Sequence, residues 1–204
     1  MNQTVVMSVV ISFVISVALG PFIIPFLRKL KVGQTERDDG PQSHLKKSGT
    51  PTMGGILILI SIVVTSALYM KDYPKIMPIL FATLGFGLIG FLDDYIKVVL
   101  KRSMGLRAWQ KMLGQIIVTG VFAYYLTHYV GISFAMKIPF AAGKYLDFGM
   151  FNIPVLFVVV IATVNGANFT DGLDGLASSV TVMIATFFTA VAVGTASGIE
   201  PVTC

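Results

Sequence analysis

Three groups of polar residues interrupt an otherwise apolar chain, and each has a makeup suited to chemistry. Asp93 and Asp94 stand side by side after a stretch that carries no charge from Lys75 onward. Adjacent carboxylates at a lipid boundary repel each other and need a cation, basic partners or water. One reading is a solvated helix end, with Lys97 one turn beyond Asp93 offsetting negative charge that a helix C-terminus disfavours. The other is a Mg²⁺ or phosphate-proximal site, because Mg²⁺ binds one or two carboxylates together with phosphate oxygens and waters. The second group is VNGANFTDGLDGLA, residues 164–177, in which Asn165, Asn168, Asp171 and Asp174 recur at every third position. On a helix that spacing walks slowly round one side, so Asn168, Asp171 and Asp174 converge on one cavity. Gly172 and Gly175 keep the backbone accessible or permit a turn. Carboxylates and amides at membrane depth are expensive unless they serve a polar site. The third group is HLKKSGTPTMGG, residues 44–55. His44, Lys46 and Lys47 precede a helix start that Thr50 can cap, with Pro51 at the first helical position. That arrangement is either a solvated basic loop or an anion site made of lysines and helix N-terminal amides.

Taken together, carboxylates, amides and lysines on one membrane face suit Mg²⁺-assisted chemistry on a phosphorylated substrate whose partner lives in the bilayer. An ion channel fits less well, since the polar residues do not line a route through the membrane.

The elements that must position these groups follow from composition. The mean hydropathy is +0.82, and only 12% of the 204 residues are charged. A soluble domain carries about a quarter charged residues, so this chain has too little polar surface for one. Within lipid every backbone polar group must be satisfied internally, and continuous rather than alternating apolar runs select helices. The fold class expected is therefore all-α, a polytopic membrane helical bundle in a single transmembrane domain. Spans are expected near residues 4–27, 52–70, 75–92, 112–130, 153–167 and 175–194, against about 20 residues for a ~30 Å core. Gly85, Gly87 and Gly90 give the third span a narrow packing surface. Residues 131–152 read as a short external hairpin.

Eleven of the fifteen Lys and Arg residues fall in segments 28–50 and 93–111; the other four are Lys71, Lys75, Lys137 and Lys144. The positive-inside rule then places the N-terminus outside, and loops 28–50, 93–111 and 165–175 in the cytoplasm. The first span lacks a basic start and is followed by Arg28 and Lys29, the pattern of an anchor rather than a cleaved export signal. The net charge of +5 is accounted for by topology and contact with anionic membrane lipids, so no nucleic-acid partner is expected. Cys204, alone among these residues, allows neither an intramolecular disulfide nor a cysteine metal cluster.

The three motifs HLKKSGTPTMGG, GFLDDYIKVVLKRSMGL and NFTDGLDGLA, in this order between apolar segments, resemble the polyprenyl-phosphate N-acetylhexosamine-1-phosphate transferases. The wording GTPTMGG points to the phospho-N-acetylmuramoyl-pentapeptide transferases within that family. The resemblance runs over essentially the whole chain. It implies transfer from UDP-N-acetylmuramoyl-pentapeptide to undecaprenyl phosphate, giving lipid I and UMP with Mg²⁺, at the cytoplasmic face of the bacterial inner membrane. It also implies roles. Asp93, Asp94 and Asp171 would be catalytic, with Asp93 near the lipid phosphate and Asp94 near the metal. Lys47 and Thr52 would lie near the nucleotide sugar or its phosphates, and Asn168 and Asp174 beside Asp171 in the nucleotide site. Lys97 and Lys111 would line the cytoplasmic cleft. A homodimer is a further expectation.

One departure matters. Family members have ten transmembrane helices, a further metal-binding aspartate and a histidine-rich motif in their later half. Here about six spans are expected, and the histidines are His44 and His128, the latter read as interfacial. The chain is therefore expected to be an N-terminal portion, truncated at its C-terminal side. A related UDP-N-acetylhexosamine-1-phosphate transferase, or an inactive membrane scaffold or transporter-like remnant, are the alternatives.

Overall fold

A computed structural model describes residues 3–29, 53–100, 104–131, 133–137, 144–171 and 175–196. Their helices are α1 (Gln3–Lys29), α2 (Gly55–Tyr69), α3 (Ile76–Val98), α4 (Ala108–Tyr125), α5 (Asn152–Thr170) and α6 (Leu176–Ala196). Strands β1 (Met136–Lys137) and β2 (Tyr145–Leu146) pair antiparallel, Met136 opposite Leu146, so the hairpin expected in 131–152 forms. The chain divides into two units, Ser8–Val118 and Met1–Met7 with Thr119–Cys204.

The distribution of side chains is that of a membrane protein turned to lipid. Phe22 is 76% exposed, and Phe187, Val158 and Ile184 are exposed like it. Among the described residues the buried set is polar to an unusual degree: Ser61, Thr65, Asp93, Gln115 and Thr119 stand beside Leu27, Leu80 and Ala123. A water-soluble domain sorts the other way. Among the described residues, α1, α3, the segment Gly149–Thr170 and Leu176–Val193 are long and apolar enough to cross a membrane, while Gly55–Tyr69 is apolar but shorter. The chain is an all-α polytopic membrane protein: a helix lies at each of the six expected spans, and among the described residues four of them reach that length and apolarity. The other two differ for local reasons. Helix α2 has 15 residues, about 22 Å at 1.5 Å per residue, and α4 carries Gln110, Lys111 and Gln115.

In the Ser8–Val118 unit, small and hydroxyl residues bring helices close. Ser61 Oγ donates to the Leu57 carbonyl at 3.0 Å and so receives the Ser16 hydroxyl at 2.8 Å, joining α1 to α2. Hydrogen bonds of this kind hold membrane helices where apolar burial gives little drive. A methyl group at Gly87 would lie 2.9 Å from Leu59, and one at Gly85 2.8 Å from Val118, so both serve packing as expected. Gly90 differs, because a methyl group there would meet no neighbouring helix within 4 Å among the described residues. Pro21 and Pro25 lie inside α1, where local adjustment and neighbouring groups offset the lost backbone bonds.

The described part of the second helix begins at Gly55 with Gly54 as its N-cap, after Met53 at φ 67°; the expected cap at Thr50 and Pro51 lies outside the described residues. Two boundaries correct the expectations. The third helix does not end at Asp93–Asp94 but runs to Val98. The fourth starts at Ala108, four residues before expected, which puts Lys111 in its first turn instead of in a loop.

In the other unit, α4 ends in a π-helical turn, Leu126–Val130, closed by Gly131 at φ 64°. His128 stacks on Tyr124 with ring centroids 4.2 Å apart. Asp147 introduces α5: one carboxylate oxygen accepts from Gly149 N–H at 2.8 Å and from the Asn152 amide at 2.6 Å. These two donors hold the Asp147 carboxyl below its ordinary pKa. Along α6 the hydroxyls of Ser179, Thr181, Thr186 and Thr189 each donate to the carbonyl four residues back. Polar side chains satisfied within their own helix can face lipid at small cost.

Candidate active site

Asp93 is the centre of the polar cluster in the Ser8–Val118 unit. It is 4% exposed, on the penultimate turn of α3. Lys97, four residues on along the same helix face, places Nζ 2.6 Å from Asp93 Oδ2. Lys111, in the first turn of α4, brings its Nζ to 2.8 Å from the same oxygen. The other oxygen, Oδ1, accepts the Leu106 backbone N–H at 2.8 Å. Both carboxylate oxygens are thus engaged by charge-assisted bonds from three donors, two of them cationic. The continuation of α3 past the two aspartates follows from this. Lys97 at i+4 compensates charge that would otherwise oppose the helix end.

The short connection between α3 and α4 makes the arrangement possible. Gly105 adopts φ 61° and turns the chain so that the Leu106 amide faces Asp93. Arg107 then caps α4 from outside, its backbone N–H donating to Gln110 Oε1 at 2.9 Å, one half of a capping box. With α4 entered at Ala108, Lys111 comes within reach of Asp93. Asp94 sits differently. Its side chain is 42% exposed and its Oδ1 lies 3.9 Å from Lys97 Nζ.

Asn168 and Asp171 belong to the other unit, where both are exposed. Asn168 is in the last turns of α5, and Asp171 is its C-cap, with its backbone N–H on Ala167 O. The helix ends at Thr170 and Gly175 turns at φ 78° before α6. The every-third spacing is therefore carried within α5 as far as Asn168, with Asp171 at its C-cap. Asn165 instead donates to Ile161 O at 2.9 Å. Lys47, Thr52 and Asp174 lie outside the described residues. The structure brings together Asp93, Lys97 and Lys111, with Asp94 at the edge. Sequence reasoning passed over Gly105, the Leu106 amide and Gln110; the Gly-Leu pair closing the basic segment was the available signal.

A scan against protein families gives a match over residues 76–202 to Glycosyl transferase family 4. The chain belongs to that family. Residues 47–59 match signature 1 of phospho-N-acetylmuramoyl-pentapeptide-transferase. Curated proteins of that name are similar to this chain along most of its length. The one from Acetivibrio thermocellus is 50% identical over 184 residues, 90% of this chain and 55% of the relative. That from Caldicellulosiruptor bescii is 46% identical over 188 residues, 92% of this chain and 58% of the relative. The Bacillus subtilis protein is 49% identical over 185 residues, 87% and 56% respectively. The chain spans a little over half the length of these relatives.

Proposed function

We propose that the chain carries part or all of a transferase site that moves phospho-N-acetylmuramoyl-pentapeptide from its UDP donor to undecaprenyl phosphate. The products are lipid I and UMP, and the site faces the cytoplasm of a bacterial membrane, with the N-terminus outside. The observation that carries the reading is the pair of lysines gathered on one buried carboxylate at the end of an apolar helix, in a chain holding the family signature.

The chemistry asks for such an arrangement. An oxygen of the lipid phosphate attacks the β-phosphorus of the donor, and the bond from that phosphorus to the oxygen bridging to UMP breaks, its electron pair leaving with UMP. Negative groups must approach one another, so fixed positive charge is the main catalytic resource. Lys97 and Lys111 supply it, held in place by Asp93 rather than left to flexible side-chain motion. With both oxygens engaged, Asp93 acts as their organiser. A phosphate monoester is largely ionised at neutral pH, since its second pKa is about 6, and needs little help from a base. Lys47, Thr52, Asn168 and Asp174 would contact the donor.

Mg²⁺ favours few carboxylates with phosphate oxygens and water. Among the described residues no three of His, Cys, Asp and Glu gather, and Asp93 is engaged. The partly exposed Asp94 would serve such an ion as one carboxylate ligand, while Asp171 would keep the catalytic role that the resemblance implies. When bound, Mg²⁺ would neutralise charge on the phosphate oxygens and on the departing UMP. Self-association into a homodimer remains part of the proposal.

The test is release of UMP by the purified chain reconstituted with undecaprenyl phosphate and Mg²⁺, beside reactions lacking lipid, lacking metal, or given another UDP-N-acetylhexosamine. The expected result is release that needs both additions and the muramoyl-pentapeptide donor. Release from another donor would assign a sibling transferase. Folded protein that neither releases UMP nor gains thermal stability from the donor would overturn the proposal.

A further inference from the structure

We propose that Gly105 is a positioning residue for the two lysines, acting through Asp93; its role in transfer rests on the function proposed above. Four described glycines have positive φ: Gly105 at 61°, Gly131 at 64°, Gly149 at 55° and Gly175 at 78°. At the last three, a methyl group would meet nothing within 4 Å. Those positions need glycine only for the turn. At Gly105 a methyl group would overlap Asp93 Oδ1 and stand 2.8 Å from Lys97 Cε and 3.1 Å from Asp93 Cγ. Lys97 is 40% exposed along its side chain, and its methylene can slide aside. The Asp93 carboxylate has no such freedom, because it is buried, short and tied to three donors.

Any side chain at position 105 therefore pushes Asp93 Oδ1 off the Leu106 amide and shifts Oδ2, on which both ammonium groups rest. The bare backbone of Gly105 is one wall of the slot that holds Asp93. It thereby sets where Lys97 and Lys111 present their charge, without touching a substrate itself. Displacements of about 1 Å at a phosphoryl-transfer site are enough to lower turnover by about a hundredfold.

The decisive comparison is Gly105→Asn against Gly131→Asn. Asparagine tolerates positive φ better than other side chains, so backbone strain is matched at two nearly equal φ values and only the collision with Asp93 differs. Thermal unfolding of the reconstituted chain is expected to fall by several °C more for Gly105→Asn than for Gly131→Asn. In UMP release, Gly105→Asn should lower kcat about tenfold to a hundredfold while KM for the UDP donor stays within about twofold; Gly131→Asn should leave both near the parent values. Equal melting shifts and equal rates for the two variants would overturn the proposal. A folded Gly105→Asn variant with lowered stability but unchanged kcat would also overturn it, by reducing Gly105 to a structural residue. If the parent chain releases no UMP, the functional reading fails by itself, and the difference in melting still decides whether Gly105 forms the slot for Asp93.

Discussion

Asp93 and Asp171 both stand near the end of an apolar helix, and their surroundings differ in kind. Asp93 is buried, and a lysine from its own helix, a lysine from the next helix and a backbone amide converge on it. Asp171 is exposed at the C-cap of α5, and no hydrogen bond from the described residues reaches its carboxylate. The first carboxylate belongs to the scaffold, because its removal takes from Lys111 the counter-charge it meets here and leaves Lys97 with the more distant Asp94. The second contributes little to the described fold and is open to ligands from outside. Residues of one type, in motifs that look alike on paper, thus divide into one held inside the fold and one left exposed.

Removing Asp93 is the strongest way to break this comparison. Asp93→Ala should destabilise the reconstituted chain by about 2–3 kcal/mol. That lies below the 3–5 kcal/mol typical of breaking a fully buried pair, because both lysines retain some solvent. Chemical unfolding in detergent measures it; a cost no greater than that of Asp171→Asn would erase the distinction. Asp171→Asn should sharpen the contrast in the opposite sense. Its effect on stability is expected within about 0.5 kcal/mol, yet UMP release should drop by about a hundredfold or more. A variant that keeps its rate would remove Asp171 from the site.

The smallest effect concerns Asp147, a carboxylate engaged by local donors alone. Its folded pKa is depressed by Asn152 and the Gly149 amide. Its contribution is therefore present above the unfolded value, about 3.9, and is lost as pH falls through the lower folded value. Protection of the Gly149 amide against hydrogen exchange should accordingly hold at neutral pH and fade below about pH 4. Asp147→Asn should flatten that profile. Fading centred near neutral pH would contradict the assignment.

Much of this was legible along the chain. Long apolar runs in a poorly charged sequence leave helices as the way to satisfy the backbone in lipid, and Asp93–Lys97 is an i,i+4 pair that any helix through them brings together. The packing role of Gly85 and Gly87 and the hairpin at 136–146 also follow local rules. The boundary at Asp93–Asp94 was misread because two adjacent charges look like a helix end until their compensation is known. A favourable cap sequence at Thr50 likewise says nothing about Met53 adopting φ 67°.

By itself, then, the sequence determined that the chain is helical, enters the membrane, belongs to its transferase family and concentrates carboxylates, amides and lysines in three short motifs. Each of these depends on composition or on residues within a few positions of one another. Only the tertiary structure decided that Lys111 and the Leu106 amide would join Lys97 on one carboxylate, that Ser16 would meet Ser61, and that Gly105 would be the wall beside Asp93. Those contacts join residues far apart along the chain, and their geometry depends on how two helices and a turn pack, which no local preference specifies.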